Sequence, residues 1–462
     1  MASTFAESVS RLTRTPAFKF FLIGGLILLL TIPLALIWFL VSERESRFTQ
    51  VKAELAQLFG GDQQIFGPLL VVPYSVRVVR VQSDKQIEDT EQRYAVFLPD
   101  DFVVNGDTKS EIRRRSIYDV TLYTARVKLS GRFPAPDMRL VDPDAISVRW
   151  RDSFLSLLIS DVSGLKESAA LTLDGSRSIP FEPSNGLPNN TAPGLNVRLF
   201  PVDTATDQPP AAFTFESDLV FNGSSTLTFA PVGRETRISL TADWPHPSFT
   251  GAFLPETRDI RSDGFAASWC IPHLARNVPQ AWRVGPTETA NVHMRLWPAL
   301  SGVNFYVPID YYDLVNRAAK YGLMFLAVAF FGVFVLELTS GRRVHAVQYV
   351  FVGVAMILFY VLLLSFAEHI GFATAYLAAS TATGGMLSLY VGMSLRSVVR
   401  GFIMLCVFLI LFGLLYLILR LEDYAMLAGA VAGFVMLTIT MFATLRVNWS
   451  GEAALSGSKQ AE

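Results

Sequence analysis

GLMFLAVAFFGVFVLELTS, residues 322–340, carries one charge, Glu337, close to its end. A helix needs about 20 mostly apolar residues to cross a hydrocarbon layer of about 30 Å, so this stretch has the length of a membrane span rather than of a core helix. Four more apolar runs follow before Arg446, divided only by short loops, and FFLIGGLILLLTIPLALIWFLV, residues 20–41, forms a sixth near the amino terminus. The pattern predicts a bundle of six transmembrane helices, with everything between the first and second spans on one side of the bilayer.

The composition agrees. Hydrophobic residues make up 51% of 462 residues and charged residues 17%, with 35 Phe, which is too apolar for an ordinary soluble protein. The net charge of -1 gives no basic field for nucleic acid, and the basic residues are scattered rather than striped, so nucleic-acid binding is not expected. The two cysteines, Cys270 and Cys406, fall in the extramembrane region and in a span, so they are not expected to pair. The first apolar run exceeds the ~7–15 residues of a signal-peptide core and no Ala-x-Ala site follows it, so it reads as an uncleaved anchor.

Lys and Arg gather on the cytoplasmic flanks of spans. Arg11, Arg14 and Lys19 precede span one; Arg342 and Arg343 lie between spans two and three; Arg396 and Arg400 separate four and five; Arg446 and Lys459 follow six. The opposite loops hold Glu368 and His369, and Arg420, Glu422 and Asp423, with Arg420 the one basic exception. Both termini are therefore expected in the cytoplasm. The domain plan is a cytoplasmic segment 1–19, a span 20–41, a periplasmic domain 42–320, a five-helix membrane domain 322–446 and a cytoplasmic tail 447–462, in a bacterial inner membrane.

Within the outer region, Phe48, Val51, Leu55 and Leu58 keep helical spacing, which predicts a stalk helix over 42–60. From there the period changes to two, and a β-rich part is expected over 66–300. Val76 and Val78, residues 117–129, Ile146 with Val148 and Trp150, Phe213 with Phe215, Leu219 with Phe221, Leu227 with Phe229, and Ile238 with Leu240 all alternate. Val292, Met294 and Leu296 repeat the pattern, and Asn222-Gly223 reads as a tight turn. Many short strands divided by Gly, Pro and Asn predict a large antiparallel, sandwich-like domain. Three stretches differ: residues 154–165 have the spacing of a short helix, and residues 184–193 and 204–210 read as loops.

Ordered blocks along the chain resemble the CreD family of inner-membrane proteins. They are Gly67-Pro68-Leu69-Leu70-Val71-Val72-Pro73-Tyr74, residues 302–310 leading into Arg317-Ala318-Ala319-Lys320-Tyr321-Gly322, then residues 334–337, 345–349, 359–369 and 422–425. The resemblance covers nearly the whole chain. It implies an inner-membrane protein linked to cell-envelope integrity and to a carbon-source-responsive two-component system, with no established reaction and no catalytic set to carry over. One departure is His345-Ala346, where the pattern leads to an expectation of His-Pro.

No residue pattern announces chemistry. Ser163-Gly164-Leu165-Lys166 has the Ser-x-x-Lys spacing of acyl-transferring envelope enzymes, but the companion elements are missing, and a surface turn is the simpler reading. His246, His273 and His293 lack paired metal spacing. No cofactor, metal or catalytic residue is expected. The candidate site is an interfacial charge cluster: Glu337 at the cytoplasmic end of span two, with Glu368, His369, Glu422 and Asp423 in the outer loops. Carboxylates within spans mark ion paths because burying charge is costly, yet at span ends headgroups and water reach them, which favours anchoring. Gly384-Gly385 and the Gly429/Gly433 pair are read as helix-packing positions.

The expected function is non-enzymatic: a periplasmic β-rich domain that senses, binds or scaffolds, with the lipid bilayer and an envelope protein or cell-wall polymer as partners. The alternatives are an ion-coupled transporter, and behind it an envelope hydrolase or transferase resting on Ser163 and Lys166.

Overall fold

The computed structural model describes residues 16–82, 85–115, 118–188, 190–201, 207–285, 292–305, 311–340, 342, 344–421 and 425–444. The chain divides into two compact units, one of Met1–Thr49 with Ile309–Glu462 and one of Gln50–Pro308.

The second unit is built on β1 (Gln63–Gln82), a strand of 20 residues. At about 3.3 Å per residue it is long enough for different stretches to meet different neighbours. It pairs antiparallel with β2 (Lys85–Phe97), β5 (Ala145–Val148) and β6 (Phe154–Ile159), and parallel with β12 (Thr226–Phe229). β6 continues the sheet to β10 (Gly194–Arg198) and β9 (Glu182–Pro183). On the other side β12 leads to β18 (Ser301–Phe305) and β14 (Pro247–Gly251), while β17 (Ala281–Val284) pairs with β2, making ten strands. The register against β6 shifts between Phe66 and Leu69, where Gly67 adopts φ +116° and a Cβ would meet the Ser156 carbonyl oxygen at 2.8 Å.

The second sheet has eight strands in the order β15 (Thr257–Arg261), β16 (Gly264–Pro272), β13 (Glu235–Ala242), β3 (Asp101–Arg115), β4 (Tyr118–Phe133), β11 (Phe213–Gly223), β7 (Ala170–Leu173) and β8 (Arg177–Pro180). Its inner strands alternate buried and exposed positions, most regularly in β11 and β13. The inward residues of both sheets form one apolar core. Rings cross it: Tyr123 meets Phe305 at 4.7 Å and Trp269 meets Phe249 at 5.8 Å. The exposed edge strand β15 carries Arg258, Asp259 and Arg261, the charged edge that discourages strand-to-strand aggregation.

Four local expectations are corrected. The sheets are mixed rather than purely antiparallel, because β1/β12 and β3/β13 run parallel. Residues 154–159 are strand, not helix; β6 is buried at all six positions between β1 and β10, and a strand covered on both faces loses the alternation that would distinguish it. Val292–Leu296 is a helical turn, α2, since three alternating apolar residues over so short a stretch fit either period. Asn222-Gly223 is not a tight hairpin turn. It ends β11 where the chain crosses from one sheet to the other, and Gly223 is needed because a Cβ there would stand 2.3 Å from the Tyr123 ring.

The remaining helices are α1 (Pro16–Phe59), α3 (Tyr311–Lys320), α4 (Gly322–Ser340), α5 (Ala346–Ile370), α6 (Phe372–Ser394), α7 (Val398–Arg420) and α8 (Ala425–Thr444). α1 is one continuous helix of 44 residues that accommodates Pro33. Among the described residues, four helices, α1, α4, α5 and α7, are long and apolar enough to cross a membrane. α6 and α8 are not among them, and in α6 Ser380, Thr381, Thr383 and Ser388 dilute the apolar content. α5, α6 and α7 form successive antiparallel pairs. Gly429 and Gly433 face Tyr321 and the first turn of α4: a Cβ would meet Tyr321 at 3.1 Å and Met324 Sδ at 3.9 Å, so these small residues serve packing inside the chain.

Candidate functional site

Glu337 lies near the end of α4 and is 6% exposed. A carboxylate so placed requires donors, and three elements supply them. Lys19 of α1 pairs with Oε1, the Val344 amide donates to the same oxygen at 2.9 Å, and the Tyr349 hydroxyl of α5 donates to Oε2 at 2.9 Å. Lys19 Nζ also donates to the Val344 carbonyl at 2.7 Å and stands 5.8 Å from the Tyr349 ring centre. The Ser340 hydroxyl donates to the Glu337 carbonyl oxygen at 2.7 Å, tightening the turn between α4 and α5.

Packing along α1 continues from this pair. Phe20 meets Phe334 at 6.3 Å; farther along, Leu30 approaches Gly353 so closely that a Cβ would stand 2.3 Å from Leu30 Cδ1; Leu34 lies against Gly322. α1 therefore runs alongside α4 and α5, and Lys19 marks its meeting with their polar end. Arg400 joins the same end, donating to the Thr339 carbonyl at 3.2 Å.

The other acids sit elsewhere. Glu368 lies near the far end of α5, where the Tyr312 hydroxyl donates to it at 3.2 Å, and His369 Nδ1 is 2.9 Å from the Ser365 carbonyl. From Tyr349 to Glu368 the helix rises by roughly 28 Å at about 1.5 Å per residue, so Glu337 and Glu368 occupy opposite ends of the bundle and form no single cluster. Glu422 and Asp423 lie outside the described residues. At the Glu368 end Arg317 donates to the Leu421 carbonyl at 3.3 Å, and the Arg420 guanidinium lies 5.3 Å from the Tyr416 ring centre.

Ser163 does not meet a lysine base. Its hydroxyl donates to Asp161 Oδ1 at 2.5 Å in a 3-10 turn that Asp161 caps, while the Lys166 amide pairs with the Val220 carbonyl at 2.9 Å. Burial works to raise the Asp161 pKa, but hydrogen bonds from the Ser163 hydroxyl and from the Gly61 and Ser163 amides outweigh it and hold the carboxyl below its ordinary value. Among the described residues no three His, Cys, Asp or Glu side chains are grouped to hold a metal ion. Both cysteines are free, Cys270 exposed and Cys406 half-buried.

Sequence reasoning singled out Glu337 but missed its partners. Lys19 reads as a topology charge and Tyr349 as an interior aromatic, and nothing in their spacing brings together residues 318 positions apart. A signal existed in the resemblance, because two of its blocks, residues 334–337 and 345–349, meet at this carboxylate.

A family model described as Inner membrane protein CreD matches residues 15–450. The Inner membrane protein CreD of Escherichia coli (strain K12) is 30% identical over 426 residues, covering 92% of each chain. Among solved structures, a substrate-bound M1 zinc metallopeptidase from Deinococcus radiodurans aligns over 74% of this chain and 94% of its own at 11% identity, with a TM-score of 0.20, too low to carry any argument about fold or activity. The family model spans the helices, the strands and the Lys19–Glu337 contact alike, and with the relative's coverage of 92% the chain belongs to the CreD family of inner membrane proteins.

Proposed function

We propose that this protein supports cell-envelope integrity as a six-span inner-membrane protein, its β-rich unit lying in the periplasm as a sensing, binding or scaffold module. The observation that carries the reading is the inserted unit itself. Gln50–Pro308 has its own two-sheet core, and the chain enters it from α1 and leaves it towards α3, as expected of a domain placed on one side of a bilayer. Lys19, Arg342 and Arg400 belong to the end of the helical unit where α4 meets α5, which supports a cytoplasmic assignment for that end and for both termini. The loops at that end are too short to form a catalytic domain.

Deleting residues 69–298 while keeping the helices is expected to abolish the envelope phenotype of the full chain. Retention of that phenotype with normal membrane abundance overturns the proposal. Transport is the competing reading, since a buried carboxylate within a span marks many ion paths. Here Glu337 has donors on both oxygens, which favours a fixed tether between α1 and the bundle. Proton- or sodium-coupled flux in proteoliposomes that disappears with Glu337→Gln reverses this preference.

A further inference from the structure

Between α6 and α7 runs a half-open apolar cleft of about 470 Å³. The α6 wall pairs small residues, Ala373, Ser380, Gly384 and Gly385, with Tyr376 and Leu377. The other is aromatic: Phe408, Phe412 and Tyr416 of α7. Two of its hydroxyls are occupied within the protein: that of Tyr376 donates to the Phe412 carbonyl at 2.6 Å and that of Ser380 to the Leu377 carbonyl at 3.2 Å. Leu377, Leu405, Phe408, Leu409 and Phe412 make the lining predominantly apolar, which suits a hydrocarbon.

The cleft has a length and a charged end. From Ala373 to Gly385 the helix rises by roughly 18 Å at about 1.5 Å per residue. That matches about one leaflet of a hydrocarbon layer of ~30 Å. Tyr416 closes the cleft at the end of α7, and the Arg420 guanidinium lies over that ring, 5.3 Å from its centre. Arg420 is also the basic residue that departs from the charge asymmetry of the loops, so orientation alone gives no reason for it. A cation at the mouth of a leaflet-deep apolar cleft complements an amphiphile with an anionic head and a long chain.

We propose that the α6/α7 cleft binds one acyl chain of an anionic phospholipid whose phosphate meets Arg420. Assigning that lipid to the periplasmic leaflet rests on the orientation proposed above; binding itself does not. Gly385 and Ser380 are the positions to fill, and a Cβ on Gly385 meets nothing within 4 Å, so a side chain there enters the cleft without displacing backbone.

The test takes the full chain through vesicles of equal parts phosphatidylglycerol and phosphatidylcholine and counts retained lipid by native mass spectrometry. Phosphatidylglycerol is expected on the wild type several-fold over phosphatidylcholine. Gly385→Trp, and independently Ser380→Leu, should strip both lipids while the circular dichroism spectrum stays unchanged. Arg420→Gln should equalise the two lipids, and Arg420→Lys should preserve the preference. Unchanged retention in both filled-cleft variants, or unchanged preference in Arg420→Gln, overturns the proposal. So does a dimer that the filled-cleft variants dissociate without loss of lipid, since the occupant is then a second copy of the chain.

Discussion

Glu337 and Lys19 illustrate how one contact joins distant parts of this chain. Removing one member of a buried ion pair leaves the other uncompensated, at a cost of about 3–5 kcal/mol, and the partial exposure of Lys19 places this pair near the lower end. Glu337→Gln and Lys19→Met are each expected to lower resistance to SDS unfolding in mixed micelles, and the double variant to lose less than the sum. Additive losses would show that the two side chains do not act together. Asp161 makes a different prediction. Its folded pKa is depressed, so its contribution is complete above the ordinary aspartate value of about 3.9 and is lost as pH falls through the lower folded value. Asp161→Asn should cost about 2 kcal/mol at pH 7. The gap to wild type, followed by chemical unfolding, should shrink below about pH 4, and a gap independent of pH would refute the assignment.

The helices owe their contacts to small residues at chosen points. Gly353 lets α1 approach α4 and α5, because a Cβ there would lie 2.3 Å from Leu30 Cδ1 and 2.9 Å from Phe330 Cζ. Gly353→Val is expected to weaken the bundle by about 1–3 kcal/mol through overpacking, read in the same micelle titration. It should also reduce the Lys19–Glu337 coupling, whereas an unchanged coupling would place the two contacts in independent regions. The departure at His345-Ala346 has little consequence for α5. His345 is the N-cap and Ala346 the first helical residue, a position that suits proline but equally accepts the best helix former. In the β-rich unit, β6 and α2 depart from the sequence expectation for one reason. A short apolar stretch does not declare its period, and the neighbours on either side decide it.

For the protein as a whole, the two native cysteines report the proposed orientation. Cys270 is exposed on the β-rich unit, whereas Cys406 lies half-buried in α7. In cells with a permeabilised outer membrane, a membrane-impermeant maleimide should label Cys270 and leave Cys406 untouched, as read by peptide mass spectrometry. Labelling of Cys270 only after the inner membrane is opened would invert the topology.

The sequence by itself determined the membrane class, the large β-rich insertion and the family, because apolar length, alternation and ordered blocks are properties of consecutive residues. Glu337 was likewise visible as a charge out of place. Only the tertiary structure decided that its partners are Lys19 and Tyr349, that Glu368 stands at the opposite end of the bundle, and that β1 and β3 each take a parallel neighbour. Those outcomes depend on which surfaces meet after the chain has folded back over hundreds of residues. Such pairings are set by packing and by the need of buried polar groups for partners, and local spacing does not encode them.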